Sequence, residues 1–129
     1  MQFELGEFAG GGRTLQGGIF TPDPQRFAKA AVGVVLVHGV ESYWYQGPPM
    51  FLAGYLAERG YAALGYNGAH SGESFRSSQF ETAVQEVAAA IAYLKSRGYR
   101  DIFLVGHSLG TPAVALELDK LFLELRQLL

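Results

Sequence analysis

The chain has 129 residues, 49% of them hydrophobic and 17% charged, enough for one globular domain with a real core and cramped for two. Ten basic against twelve acidic residues give a formal net charge of -2 with no basic stripe, which argues against nucleic acid as a partner. No cysteine is present, so disulfides and thiolate metal sites are excluded and a reducing compartment fits.

The first residues, MQFELGEFAG, lack the basic and apolar regions of a secretory signal. The most apolar run, Ala30 to Val40, contains His38 and falls well short of the roughly 20 residues that span a bilayer. The expectation is a cytoplasmic protein with no membrane span.

Phe3 to Phe8 and Thr14 to Phe20 carry strand-forming residues on either side of Ala9-Gly10-Gly11-Gly12-Arg13, which predicts an N-terminal antiparallel hairpin. Thr21-Pro22-Asp23-Pro24 breaks the chain. Ala31 to Val37 is then a continuous valine and leucine run, the pattern of a strand covered on both faces. Pro48 and Pro49 suit the first turn of a helix with an apolar stripe of Phe51, Leu52, Tyr55 and Leu56, closed by Gly60. Tyr61 to Tyr66 reads as the next strand. Ser78-Gln79-Phe80-Glu81 has capping-box form and opens a helix with Phe80, Val84, Val87, Ala88, Ile91 and Leu94 on one face, ended by Gly98. Asp101 to Val105 follows as a strand. A last helix then places Val114, Leu118, Leu121, Phe122, Leu125, Leu128 and Leu129 on one stripe, opposite Glu117, Lys120, Glu124 and Gln127. This alternation predicts the α/β class, a mostly parallel sheet with helices on both faces.

Between the last strand and the last helix lies Gly106-His107-Ser108-Leu109-Gly110. Gly-x-Ser-x-Gly is expected about 0.12 times by chance in so glycine-rich a chain, and its flanks, Ile102 to Val105 before and Leu109 to Leu118 after, have the strand and helix character that a serine on a sharp turn needs. Glycines two residues to either side accept unusual backbone angles, and Pro112 in the first helical turn leaves the N–H groups near Leu109 free to face an anion. The plainer alternative is a glycine-rich connection whose serine does no chemistry. Two further features favour the sharper reading: His38-Gly39 closes the valine strand, and a small-residue loop, Asn67 to Ser74, follows the next one.

Taken together, these residues resemble the N-terminal half of an α/β-hydrolase, over about residues 14 to 118. The resemblance implies that Ser108 is the nucleophile and that the backbone N–H groups of Leu109 and Val40 form an oxyanion hole. Gly106, His107, Gly110, His38 and Gly39 would support that turn and loop. The Asn67 to Ser74 loop is similar to the family's Arg-Gly-x-Gly-x-Ser loop, with Ala69 at the arginine position.

The family's chain order is serine, then acid, then histidine. After Ser108 come only Glu117, Asp119 and Glu124, all within a helical pattern, and no histidine. His70 stays open as a displaced base, since a triad is recognised by geometry, beside its reading as an ordinary loop histidine. No His-x-x-x-His or paired carboxylate points to a metal, and Gly10-Gly11-Gly12 lacks the spacing of the dinucleotide fingerprint, so no metal or cofactor is expected. The resemblance implies a serine hydrolase for a small carboxylic ester or related acyl substrate. The rival is a non-catalytic fragment or interaction module that keeps the hydrolase core. Residues 1–129 read as a single truncated domain lacking the C-terminal strands, whose Ile102 to Val105 strand is an apolar edge open to self-association.

Overall fold

The computed structural model describes residues 1–29 and 31–128. β1 (Gln2–Gly10) and β2 (Arg13–Thr21) pair antiparallel from Gln2↔Thr21 to Gly10↔Arg13. Only Gly11 and Gly12 close the hairpin, with φ of 58° and 78°. Two left-handed residues give the connection whose twist matches the flanking strands, so both strands run further into the glycine cluster than their side chains suggest.

β3 (Val32–Val37), β4 (Ala62–Tyr66) and β5 (Asp101–Gly106) complete a sheet of order β1-β2-β4-β3-β5. β3 is parallel to both β4 and β5, and β2 joins β4 antiparallel, so a parallel trio carries an antiparallel hairpin on one side. Every residue of β4 is buried, which is why its sequence does not alternate. β5 pairs with β3 alone and stands at the end of the sheet, leaving Phe103 62% exposed.

α1 (Gly47–Ala57) covers one face, over Phe20, Val34, Leu36 and Ala63. α2 (Phe80–Ser96) and α3 (Gly110–Gln127) cover the other, over Leu15, Val35, Leu64 and Tyr66. Three details depart from the sequence expectation. α1 packs through Pro49, Ala53 and Ala57, with Leu52 and Leu56 partly buried, while Phe51 and Tyr55 lie exposed. At about 100° per residue those two sit on the far side of the Pro49–Ala53–Ala57 line, and the Tyr55 ring instead carries the Arg59 guanidinium at 3.5 Å.

The capping box does not form. Gln79 precedes α2 without a side-chain cap, and the Ser78 hydroxyl donates to Phe75 O while bonding His70 Nδ1. In α3 the buried residues are Gly110, Ala113, Val114 and Glu117, so Glu117, expected on the polar face, turns inward. Phe122, Leu125 and Leu128 face outward, and Leu129 lies outside the described residues. The cause is length: α3 is about 27 Å long at 1.5 Å per residue, whereas β5 extends only about 20 Å, so the end of the helix has no sheet beneath it.

Candidate active site

β5 ends at Gly106 and α3 begins at Gly110, which leaves His107, Ser108 and Leu109 to make the whole reversal. Ser108 takes a left-handed backbone, φ 54°, which costs a non-glycine residue about 1 kcal/mol or more. The turn is over-determined enough to hold it there. His107 N–H donates to Val37 O at 2.9 Å, Gly110 N–H to His107 O at 2.9 Å, and Thr111 N–H to Ser108 O at 3.0 Å. Thr111 Oγ1 adds a bond to Gly106 O at 3.1 Å. Ser108 and His107 are exposed at the crest of the turn.

The two flanking glycines serve a purpose other than backbone freedom, because neither has a positive φ. A Cβ on Gly106 would lie 2.5 Å from the Gly110 carbonyl, and one on Gly110 would strike the Val37 carbonyl oxygen. Close approach requires them, and the unusual angle falls on the serine itself. Gly39 is brought to the same place: a Cβ there would stand 2.8 Å from Ser108 Cβ and 3.3 Å from its Oγ. The end of β3 and the serine turn therefore meet.

His38 does not join them as a base. It is buried, its Nε2 accepts from Gly68 N–H at 3.1 Å, and its Nδ1 therefore carries the proton that it donates to Gly39 O at 2.6 Å. Burial pulls its pKa below the ordinary value of 6.5, against the opposing bond to Gly39 and with the help of nearby His70. A histidine with a lowered folded pKa contributes stability that is complete above the unfolded value and is lost as pH falls through the folded one. The melting temperature should therefore drop as pH falls below about 6.5, and drop less steeply in His38→Gln. Equal slopes in thermal melts of the two proteins would refute this. Buried Glu86 and Glu117, both shifted upward by burial, act with the opposite sign, favouring the fold as pH falls through the carboxylate range.

His70 is also committed elsewhere. Its Nδ1 bonds Ser78 Oγ at 2.7 Å, and the residue lines a small internal cavity with Tyr66, Gly68 and Glu86 that does not include Ser108. Among the described residues no histidine bonds Ser108, and no group of three His, Cys, Asp or Glu could hold a metal. Sequence reasoning missed Glu86, whose two carboxylate oxygens accept the Ala69 N–H at 3.0 and 2.9 Å. The only available signal was a lone acid within the apolar face Ala83, Val84, Val87 and Ala90.

Trp44 was missed too. Its indole lies where Gly18 and Gly65 have no side chains and stacks on Phe3 at 5.7 Å, and the Trp44 backbone N–H donates to Asn67 Oδ1 at 3.1 Å. With Tyr45, Glu7 and Gln16 it walls a groove of about 620 Å³ that contains no residue of the serine turn.

The model of the alpha/beta hydrolase family matches residues 34–126. The chain belongs to that family. Among solved structures, Est1E from Butyrivibrio proteoclasticus with bound ferulic acid aligns at a TM-score of 0.77 and 20% identity, over 87% of this chain and 46% of that one. Dienelactone hydrolase from Anabaena variabilis aligns at 0.75 and 20% identity, over 90% of this chain and 56% of that one. A cold-adapted esterase from an Arctic intertidal metagenomic library gives 0.72 and 22%, over 85% and 52%. These likenesses establish the alpha/beta hydrolase fold, and the chain spans about half the length of the structures it matches. No curated protein sequence matches it.

Proposed function

We propose that the chain carries the nucleophile half of a serine hydrolase for a small carboxylic ester or related acyl substrate, with Ser108 as nucleophile. The observation that carries this reading is the strained, exposed Ser108 at φ 54° between a strand and the first turn of a helix. Two more support it. The N–H groups of Leu109 and Val40 donate to no protein acceptor among the described residues, and α3 presents its positive end beside the serine. Ser108 Oγ would attack the acyl carbon, the carbonyl electron pair would move onto oxygen, and the two N–H groups would hold that oxyanion until collapse expels the alcohol. The serine proton needs a base, and His38 and His70 are both engaged in other bonds.

A triad member's loss leaves about 10³ to 10⁴ over the water reaction, so the chain alone should be poorly active. A fluorophosphonate probe is expected to label Ser108 slowly and not at all in Ser108→Ala, with p-nitrophenyl ester turnover near background. Rapid turnover that Ser108→Ala abolishes would show that a base is present. A folded sample with no labelling at Ser108 would favour the rival, a non-catalytic interaction module.

The exposed Phe103 and Phe122 give that rival its own observation. We propose that two copies pair through the open edge of β5, whose unpaired backbone groups and apolar side chains form a template. Light scattering after size exclusion should then give twice the chain mass, and a monomer at high concentration would count against the pairing.

A further inference from the structure

We infer that Tyr66, His70 and Glu86 enclose a binding site for one water molecule, and that Glu86 is a positioning residue for the loop that carries the Val40 N–H. The second half rests on the proposed role of Val40 as an oxyanion donor. The first half stands without it.

Tyr66 Oη and His70 Nε2 are the two buried side-chain polar atoms that reach no partner among the described residues. Such atoms are rare in folded proteins, and here both residues line the same cavity, of about 10 Å³, together with His38, Gly68 and Glu86. That is room for one water centre and no more. The hydrogen-bond roles also match. Ser78 Oγ spends its proton on Phe75 O, so it accepts from His70 Nδ1, which leaves Nε2 as a bare acceptor. The Tyr66 O–H needs an acceptor, and burial beside Glu86 raises its pKa so that the proton stays on. One water can accept from Tyr66 Oη and donate to His70 Nε2 and the Glu86 carboxyl group, whereas a cation would face a tyrosine proton and too few ligands.

From this site a chain of bonds leads to the serine. Glu86 holds the Ala69 N–H, and Gly68 lies so close that a Cβ on it would stand 2.7 Å from Glu86 Oε2. Gly68 N–H donates to His38 Nε2, and His38 Nδ1–H donates to Gly39 O. On the other side, Glu41 N–H donates to His70 O. Glu41 is itself left-handed, φ 57°, and this bond holds it. Val40 is thus bracketed by Gly39, tied through the His38 ring to the loop that Glu86 pins, and by Glu41, bonded to that loop directly, and the direction of its N–H follows from that loop.

The test uses the full chain. Water-to-protein cross-relaxation in NMR should detect one long-lived water next to the Tyr66 and His70 rings, lost in Tyr66→Phe; no such water in the folded wild type overturns the site. For the positioning role, Glu86→Met keeps the volume and removes the acceptor, while Glu86→Gln keeps an acceptor. Glu86→Met should shift the amide resonances of Ala69, Gly68 and Val40 and slow fluorophosphonate labelling of Ser108 at least tenfold. Glu86→Gln should restore both to near wild type. Unchanged Val40 amide and labelling rate in folded Glu86→Met, or equal losses in the Met and Gln variants, overturn the role. If Glu86→Met does not fold, the Val40 resonance in Tyr66→Phe decides, since loss of the water should move it. Failure of the wild type to label overturns the reading of Ser108 and leaves the water and amide measurements standing.

Discussion

Gly110→Ala is expected to cost about 3 kcal/mol, the upper range for forcing extra volume into a packed site. The added Cβ would meet the Val37 carbonyl oxygen, with Val37 C at 2.9 Å and His38 O at 3.0 Å, and all three are backbone atoms at the end of a central strand. No rotamer relieves such a clash. The strand end or the first turn of α3 must move, and either movement breaks the His107 N–H bond to Val37 O. Gly12→Ala supplies the contrast, because Gly12 has φ 78° and nothing within 4 Å of its would-be Cβ. Its cost is the left-handed backbone alone, about 1 kcal/mol. Urea unfolding of both variants separates the two reasons for glycine. Equal losses would sink the close-approach account of the serine turn.

The parts of the fold that were legible in the sequence are those that local pattern controls. The valine run of β3, the strand β4 and the strand-to-helix change on either side of Ser108 each carry their signal within a few residues, and the structure has these elements where that signal says. What stayed hidden depends on partners distant in sequence. Glu86 reads as one more polar helix residue until the Ala69 loop, 17 positions earlier, folds over it. Ser78 offers itself as a helix cap, yet it meets His70 first. On α1 the large side chains Phe51 and Tyr55 dominate any hydrophobic count, but a helix pressed onto a sheet takes its small residues, Ala53 and Ala57, to the contact. The apolar stripe on α3 is plain in the sequence, yet Leu118, Phe122, Leu125 and Leu128 on it stay exposed. Its burial required a neighbour that a six-residue edge strand cannot supply along the whole helix.

Gly39→Ala should slow labelling of Ser108 at least tenfold, because its Cβ would stand 2.8 Å from Ser108 Cβ and push Oγ off the crest of the turn. The same clash should cost about 1 to 2 kcal/mol of stability, the usual range for overpacking against a short side chain. A double-mutant cycle isolates it. Ser108→Gly removes the Cβ and Oγ and relieves the φ of 54°, so alone it should raise stability by about 1 kcal/mol. In that background Gly39→Ala should be nearly neutral, giving a coupling energy of about 1 to 2 kcal/mol between the two positions. If Gly39→Ala costs the same with serine or glycine at 108, the loop after β3 and the serine turn are not in contact, and no oxyanion hole can be built from Val40 and Leu109. A coupling of the expected size would tie the strained serine to the loop that faces it, the geometric relation that an oxyanion hole built from Val40 and Leu109 requires.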